Sequence, residues 1–332
     1  MNKISDYLQK LSNAKTSDSN QISRKEYISG IVLALLSAAI YGFMPMMARI
    51  FKSEGGDPIL LAMFRFFFSS LFLLPLIKGS NSPFKIEKSN LLRLLLVALA
   101  YAITPPLLYM SYEYLDTGIA TILHFSYPAL VIILCLIFYK DKPKISAILC
   151  LLFSLIGITL IQIDPSKHAE TLANSAVAST SYSQVIGLGL AILSGLTYAI
   201  YVVFYSNSRL ITIPLFTLAF YLNFLSFIIL IPYRLLNGIN ISLSFKGILI
   251  GILLAFSCSV LATIFFQYAC SKIGGAKAAL LSTFEPLVSV IVASLFLNEK
   301  LSTFSALGVA AILLASCLLI FEKKQNVDKK NN

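Results

Sequence analysis

Long apolar runs parted by short polar breaks fill most of the chain. A helix needs about 20 consecutive apolar residues to cross a bilayer. On that measure ten helices are predicted, near 28–51, 57–77, 91–112, 117–139, 144–163, 184–206, 211–233, 246–271, 276–297 and 301–321. The third and fourth runs, and the eighth and ninth, are separated by only a few residues. Polar segments lie outside the runs. Residues 1–27 read as a tail, with Ile4, Tyr7, Leu8 and Leu11 at the spacing of an interfacial helix; 164–183, rich in Ser, Ala and Thr, reads as a linker; 322–332 read as a second tail.

The apolar runs are written twice. Gly30, Leu33, Ala34, Leu36, Ser37 and Tyr41 recur in order and spacing as Gly187, Leu190, Ala191, Leu193, Ser194 and Tyr198. Pro128 and Pro286 mark a second matched place, one residue further out of phase. Each copy holds five helices, an odd number, so the second copy enters the bilayer inverted relative to the first. Such inverted repeats build carriers that alternate access to a site near the midplane.

Composition agrees, because 58% hydrophobic and 12% charged residues exclude a soluble domain of this length. The net charge of +11 matters through its placement. With the N-terminus inside, the inner segments collect most Lys and Arg, including Lys78, Lys85, Lys88, Arg93, Lys140, Lys142, Lys144, Lys323 and Lys324. The outer ones hold only Arg49, Lys52, Lys167, Arg234, Lys246 and Lys300. The positive-inside rule therefore predicts two cytoplasmic termini and an external 164–183 linker. The basic residues are scattered in pairs and triplets with no aromatic-interleaved module, which argues against nucleic acid as a partner. No signal-peptide pattern opens the chain, so the first helix is expected to be a retained anchor. Cys135, Cys150, Cys258, Cys270 and Cys317 all fall within apolar runs, form no CxxC and offer no metal spacing.

Small residues four apart form a stripe on the first helix (Gly30, Ala34, Ala38, Gly42) and on the sixth (Gly187, Ala191, Gly195, Ala199). Such stripes let backbones approach closely. They suit either seams that slide during transport or static packing. Polar residues at membrane depth are costly there, about 2.5–3.5 kcal/mol for a charge on insertion scales, and so face protein or water. His124 and Glu285 each precede a proline, Pro128 and Pro286, that interrupts the helix ladder and frees a carbonyl. By the repeat offset His124 corresponds to Ser282, and Glu285 to Tyr127, so the halves are chemically unequal at the centre. Arg65 is a third intramembrane charge, suited to a carboxylate partner or to holding its helix against a neighbour. Tyr41, Tyr101, Tyr198 and Gln267 complete the candidate lining.

Catalytic motifs are absent from the sequence: there is no GxxxxGK[ST], HExxH or GxSxG. No cofactor is implied. The stretch from Tyr268 to Leu319, with IGGAKAALLSTFEPLVSVIVASLFLNEKLSTFSALGVAAILLASCLL, resembles the second EamA repeat of the drug/metabolite transporter superfamily. GIVLALLSAAIYG, MFRFFFSSLFLLP and GIATILHFSYPALV resemble the first. Tyr127-Pro128 stands where the family often has Glu-Pro, and Asp141 replaces the Glu of the following loop. The resemblance implies an all-α integral membrane protein of ten helices in two inverted EamA repeats, 28–163 and 184–321. It further implies a non-ATP carrier in the bacterial plasma membrane exporting a small polar or amphipathic metabolite, with amino acids favoured. An intramembrane enzyme, a lipid-modifying factor and a passive channel stay open as alternatives, as do proton coupling through Glu285 and the oligomeric state.

Overall fold

The computed structural model describes residues 24–80, 82–111, 114–115, 117–162, 181–236, 242–296 and 303–328. The 1–27 tail up to residue 23, most of the 164–183 linker and the last four residues lie outside the described residues. Within them the chain forms ten helical passes: α1 (Arg24–Ser53), α2 (Pro58–Gly79), α3 (Lys88–Ser111), α4 (Thr117–His124 and Tyr127–Tyr139), α5 (Ile145–Gln162), α6 (Ser181–Ser206), α7 (Leu215–Leu236), α8 (Phe245–Ile273), α9 (Gly275–Phe296 in three segments) and α10 (Thr303–Asp328). Seven are long and apolar enough to span a bilayer unaided, and α5 and α10 contribute shorter apolar cores at Ile145–Ile161 and Ala306–Leu318. Leu92, Ile137, Ile145 and Leu307 turn outward and are exposed, as lipid-facing side chains must be.

Local chemistry sets the ends. The Asp57 carboxylate accepts from the Leu60 N–H at 2.8 Å and caps α2, with Pro58 behind it at a position needing no donor. Ser244 caps α8 the same way through Gly247 N–H at 3.1 Å. Gly274, at φ +84°, ends α8 and turns directly into α9, a conformation that disfavours any side chain.

Several helix ends differ by a few residues from those read in the sequence. α1 is already helical at Arg24, inside the expected tail, where Glu26 pairs with Lys272 of α8 at 2.6 Å. α10 runs to Asp328, since nothing in EKKQNVD breaks a helix.

The packing exchanges the halves. α1 lies against α8 and α9, while α6 lies against α3 and α4; α2 pairs with α7 and α5 with α10. Each first helix is thus cradled by the third and fourth helices of the other repeat. Hydrogen bonds repeat the relation: Ser69 Oγ, sharing its proton with the Arg65 carbonyl of its own helix, lies 3.1 Å from Ala255 O, and Ser226 Oγ donates to Ala98 O at 3.3 Å, with both donor and acceptor displaced by 157 residues. The small-residue stripes sit on these seams. A Cβ on Gly30 would lie 2.9 Å from Ile273 Cγ2, and one on Gly187 would lie 2.6 Å from Leu115 Cγ. Ala34, Ala38, Ala191 and Ala199 are likewise buried.

Candidate functional site

Four irregularities converge between the repeats. In α4 the helix stops at His124 and resumes at Tyr127, because Pro128 has no N–H to offer the His124 carbonyl. In α9 a 3-10 turn, Ser282–Phe284, precedes Glu285, and Pro286 leaves the Ser282 carbonyl without its helical donor in the same way. α1 breaks at Gly42–Phe43 ahead of Pro45, and Ser289 Oγ of α9 donates to the Gly42 carbonyl at 2.9 Å. The fourth lies in α8, where Ala255–Ala262 widens into a π-helix. Wide turns of this kind recur at functional sites.

Each first helix places a glycine on a break. A Cβ on Gly42 would come within 3.1 Å of Glu285 O, and one on Gly195 within 2.8 Å of His124 O. Backbones can meet here only because side chains are missing.

His124 is half-buried, with Nδ1 2.9 Å from Ser194 Oγ. The Ser194 hydroxyl spends its proton on Ala191 O at 2.6 Å, so it accepts from Nδ1–H. In the neutral ring that network leaves the lone pair on Nε2. Rings surround it: Tyr127 at 5.6 Å and Tyr198 at 6.0 Å between centroids, with Tyr198 edge-on to Tyr127 at 4.7 Å and 81°.

Tyr198 continues the cluster to Tyr201 at 5.6 Å, which lies 4.9 Å from Tyr101. Thr263, just past the π-helix, ties this wall to α1. Its hydroxyl lies 3.0 Å from the Tyr41 hydroxyl and 3.3 Å from that of Tyr101, and it also reaches back to Cys258 O at 3.1 Å.

Arg65 is buried on α2. Its Nε donates to Ser259 Oγ in the π-helix at 3.0 Å, and one terminal nitrogen faces Met44 Sδ at 3.3 Å. Glu285 lies within electrostatic reach of it, yet no ion pair within 4.0 Å joins them. Tyr109 and Tyr41 also line the guanidinium.

The structure therefore gathers Tyr41, Arg65, Tyr101, His124, Tyr198 and Glu285 into one connected set. Gln267 stands one turn beyond Thr263, buried beside Tyr201. Sequence reasoning missed Ser194, Ser259 and Thr263, the residues that orient His124, Arg65 and the tyrosines. Ser194 had a signal as one of the repeated positions; Ser259 and Thr263 had none, since AFSCSVLAT carries no helix-breaking residue. Among the described residues no group of three His, Cys, Asp or Glu side chains is placed to hold a metal ion.

These features define a two-repeat helical membrane protein with an ionisable centre between the repeats. The chain belongs to the EamA-like transporter family, whose model matches residues 28–163 and 185–321. It is therefore a multi-pass membrane protein. An uncharacterized transporter of Synechocystis sp. is 29% identical over 229 residues, which are 68% of this chain. The match spans 65% of that relative's own length. A protein of known crystal structure superposes with a TM-score of 0.75 over 91% of this chain and 99% of its own, at 12% identity, a likeness of fold alone.

Proposed function

We propose that the chain exports a small zwitterionic or amphipathic metabolite, an amino acid in the favoured case, by alternating access between its repeats. One arrangement carries the reading: the buried Arg65 guanidinium and the half-buried Glu285 carboxyl lie within electrostatic reach of each other, and no ion pair within 4.0 Å joins them. A buried charge left unneutralised is costly. A solute bearing both an ammonium and a carboxylate supplies the missing partner to each, with the carboxylate matched to the planar guanidinium fork. Tyr101, Tyr198 and Tyr127 give an apolar, hydrogen-bonding wall for the rest of the solute. Outward direction comes from the family resemblance, and solute binding at Glu285 is favoured over proton carriage.

The cytoplasmic placement of both termini and of the 78–90 loop, and the external placement of 164–183, rest on the Lys and Arg distribution. Impermeant labelling of single cysteines on intact cells reads this out; strong labelling in 78–90 would invert the assignment.

Counterflow of labelled amino acids in proteoliposomes tests the solute. Glu285→Gln is expected to weaken zwitterion affinity at least about tenfold, the scale of one lost charge-assisted hydrogen bond, and to spare neutral solutes. Intact affinity with loss of pH-gradient drive would instead make Glu285 the proton site. Chemically altered solute recovered from the vesicles would replace the carrier with an enzyme, and flux that never saturates would replace it with a channel.

A further inference from the structure

Most polar side chains at membrane depth in this bundle are paired and enclosed. Ser37 Oγ donates to Ala262 O at 2.8 Å, and the Thr104 and Thr197 hydroxyls meet at 2.8 Å, with all three side chains buried. His124 Nε2 differs on both counts. It makes no hydrogen bond among the described residues, and it is not enclosed away from solvent. The hydroxyl of Tyr198 and the carboxyl of Glu285, both half-buried residues, share that condition.

The surface they expose lies inside the bundle. Tyr198 stands on one face of α6 with Ala191, Ser194 and Tyr201, all three buried, whereas Ile192 and Leu193, turned away from that face, are exposed. A half-buried side chain on an otherwise buried face opens on an internal crevice. Tyr127 joins its two ends, because it is in ring contact with His124 and Tyr198 and within electrostatic reach of Glu285. Its own hydroxyl interacts with Ser282 of α9.

Ser194 sets what His124 offers to this crevice. With the Ser194 proton on Ala191 O, the hydroxyl accepts from Nδ1–H, and a neutral ring then presents Nε2 as an acceptor only. A side chain ending in O–H or N–H completes that acceptor. One ending in a methyl group displaces water from it and leaves it unpaired.

We propose that His124, oriented by Ser194, reads the solute's side chain and makes the site prefer one that ends in a hydrogen-bond donor over its apolar isostere. Ser194 is the positioning residue. The inference rests on the amino-acid reading above. Full-length protein in proteoliposomes tests it with labelled L-tyrosine against L-phenylalanine and L-threonine against L-valine, pairs that differ in one donor at different reach. In at least one pair the wild-type KM of the donor-bearing solute is expected to lie about tenfold or more below that of its partner, because a site built to bond a hydroxyl rejects the analogue without it. His124→Phe and Ser194→Ala should each bring that ratio below about threefold, and Ser194→Thr, which keeps the hydroxyl, should preserve it. Equal KM values within both pairs in wild type, or a ratio that survives in His124→Phe, overturns the proposal.

A second measurement needs no transported solute. The chain has two histidines, His124 and His168, so a His168→Gln protein labelled with 15N-histidine reports His124 alone. Its Nε2 is expected to resonate as the unprotonated nitrogen, and Ser194→Ala should mix the tautomers. A protonated Nε2 beside an unprotonated Nδ1 overturns the assignment whatever the solute is. Should neither amino-acid pair be carried, the amino-acid reading falls and this resonance decides the rest. p-Cresol, with a hydroxyl where p-xylene has a methyl, is expected to shift it and p-xylene is not; the same response to both overturns the donor preference as well.

Discussion

α3 and α8 occupy matching positions in the two repeats, and Pro105–Pro106 stands 157 residues before Ala262–Thr263. Both helices lose their regular ladder at that level, by different means. In α3 two prolines withhold the N–H groups that would bind the Tyr101 and Ala102 carbonyls. In α8 no residue forbids the α-helix, and a π-turn is held from outside by Ser37 on Ala262 O and Ser69 on Ala255 O. One irregularity is built into the chain and the other is imposed by neighbours. The same division runs through the halves. The seams and the Ser69/Ser226 bonds are shared, while Arg65, His124 and Glu285 have uncharged counterparts in Leu222, Ser282 and Tyr127. The repeat keeps the packing symmetric and lets the chemistry differ, a division that suits the proposed carriage of an asymmetric solute.

The comparison breaks most severely at the seams. Ala38→Leu and Gly195→Leu, at matched positions, are both expected to abolish counterflow. Gly195→Leu should also lower the thermal midpoint further, because its Cβ would stand 2.8 Å from a backbone oxygen that cannot yield. Overpacking of this kind costs about 1–3 kcal/mol. Parallel loss of folded yield and transport in both variants would make the stripes static packing.

A swap sharpens the chemical half of the comparison. Tyr127→Glu with Glu285→Tyr keeps the residue inventory and carries the carboxylate to its counterpart position. There the second repeat offers no matched cation, since Leu222 stands at the counterpart of Arg65. The swapped protein is expected to fold, with a penalty of up to about 3 kcal/mol for the newly placed charge, and to bind zwitterions at least about tenfold more weakly. Wild-type affinity by titration would show that the position of the carboxylate is immaterial and would remove Glu285 from the solute site.

The shared bonds give a smaller and more even effect. Ser69→Ala and Ser226→Ala each remove one donor to an α8 or α3 carbonyl, and each should cost about 1 kcal/mol of stability. Denaturant unfolding checks this. A much larger cost for Ser69→Ala would show that the π-turn depends on it, which is the expected departure from symmetry if α8 is held from outside.

How much was legible in the sequence follows from the same contrast. Features written into residue types could be read in advance: the apolar runs, the doubled Gly-Ala stripes, and the helix breaks before Pro128 and Pro286. The α1 break at Gly42–Phe43 had a signal in Pro45 that the apolar run concealed. Features set by neighbours could not be read. The π-helix depends on hydroxyls of α1 and α2, and the Thr263 junction exists only once Tyr41 and Tyr101 arrive from other helices. The Glu26–Lys272 pair at the described start of α1 joins residues 246 apart. For the polar candidates, residue type and depth were readable and their company was not: Arg65 was expected either to meet a carboxylate or to hold its helix against a neighbour, and which group its Nε would find, Ser259 of α8, could not be read.

The weakest predicted effect lies at the two ends of the bundle. Where the α2–α3 loop meets α7 the contacts are neutral, with Thr217 Oγ1 donating to Pro83 O at 3.0 Å and the Tyr221 hydroxyl to Phe84 O at 2.9 Å. Where the α7–α8 loop meets the α1–α2 loop they are charged. Ser244 Oγ donates to Glu54 Oε2 at 2.6 Å and Lys246 Nζ lies 2.9 Å from Oε1. The Ser244 hydroxyl first, and Lys246 after it, hold the Glu54 carboxyl below its ordinary value of 4.5. A depressed carboxyl stabilises the contact above that ordinary value and loses the contribution as pH falls through the lower, folded one. Lys246 is 69% exposed, so the gain is slight and screened by salt. The thermal midpoint of Glu54→Gln should therefore sit a little below wild type at pH 7 in low salt and converge on it below about pH 4 or at about 1 M salt. Thr217→Val, at the neutral end, should show an offset that neither pH nor salt removes. An offset in Glu54→Gln that persists in acid would mean that the loop contact rests on shape and the Ser244 N–H to Glu54 O bond of 3.0 Å, with the charges as bystanders.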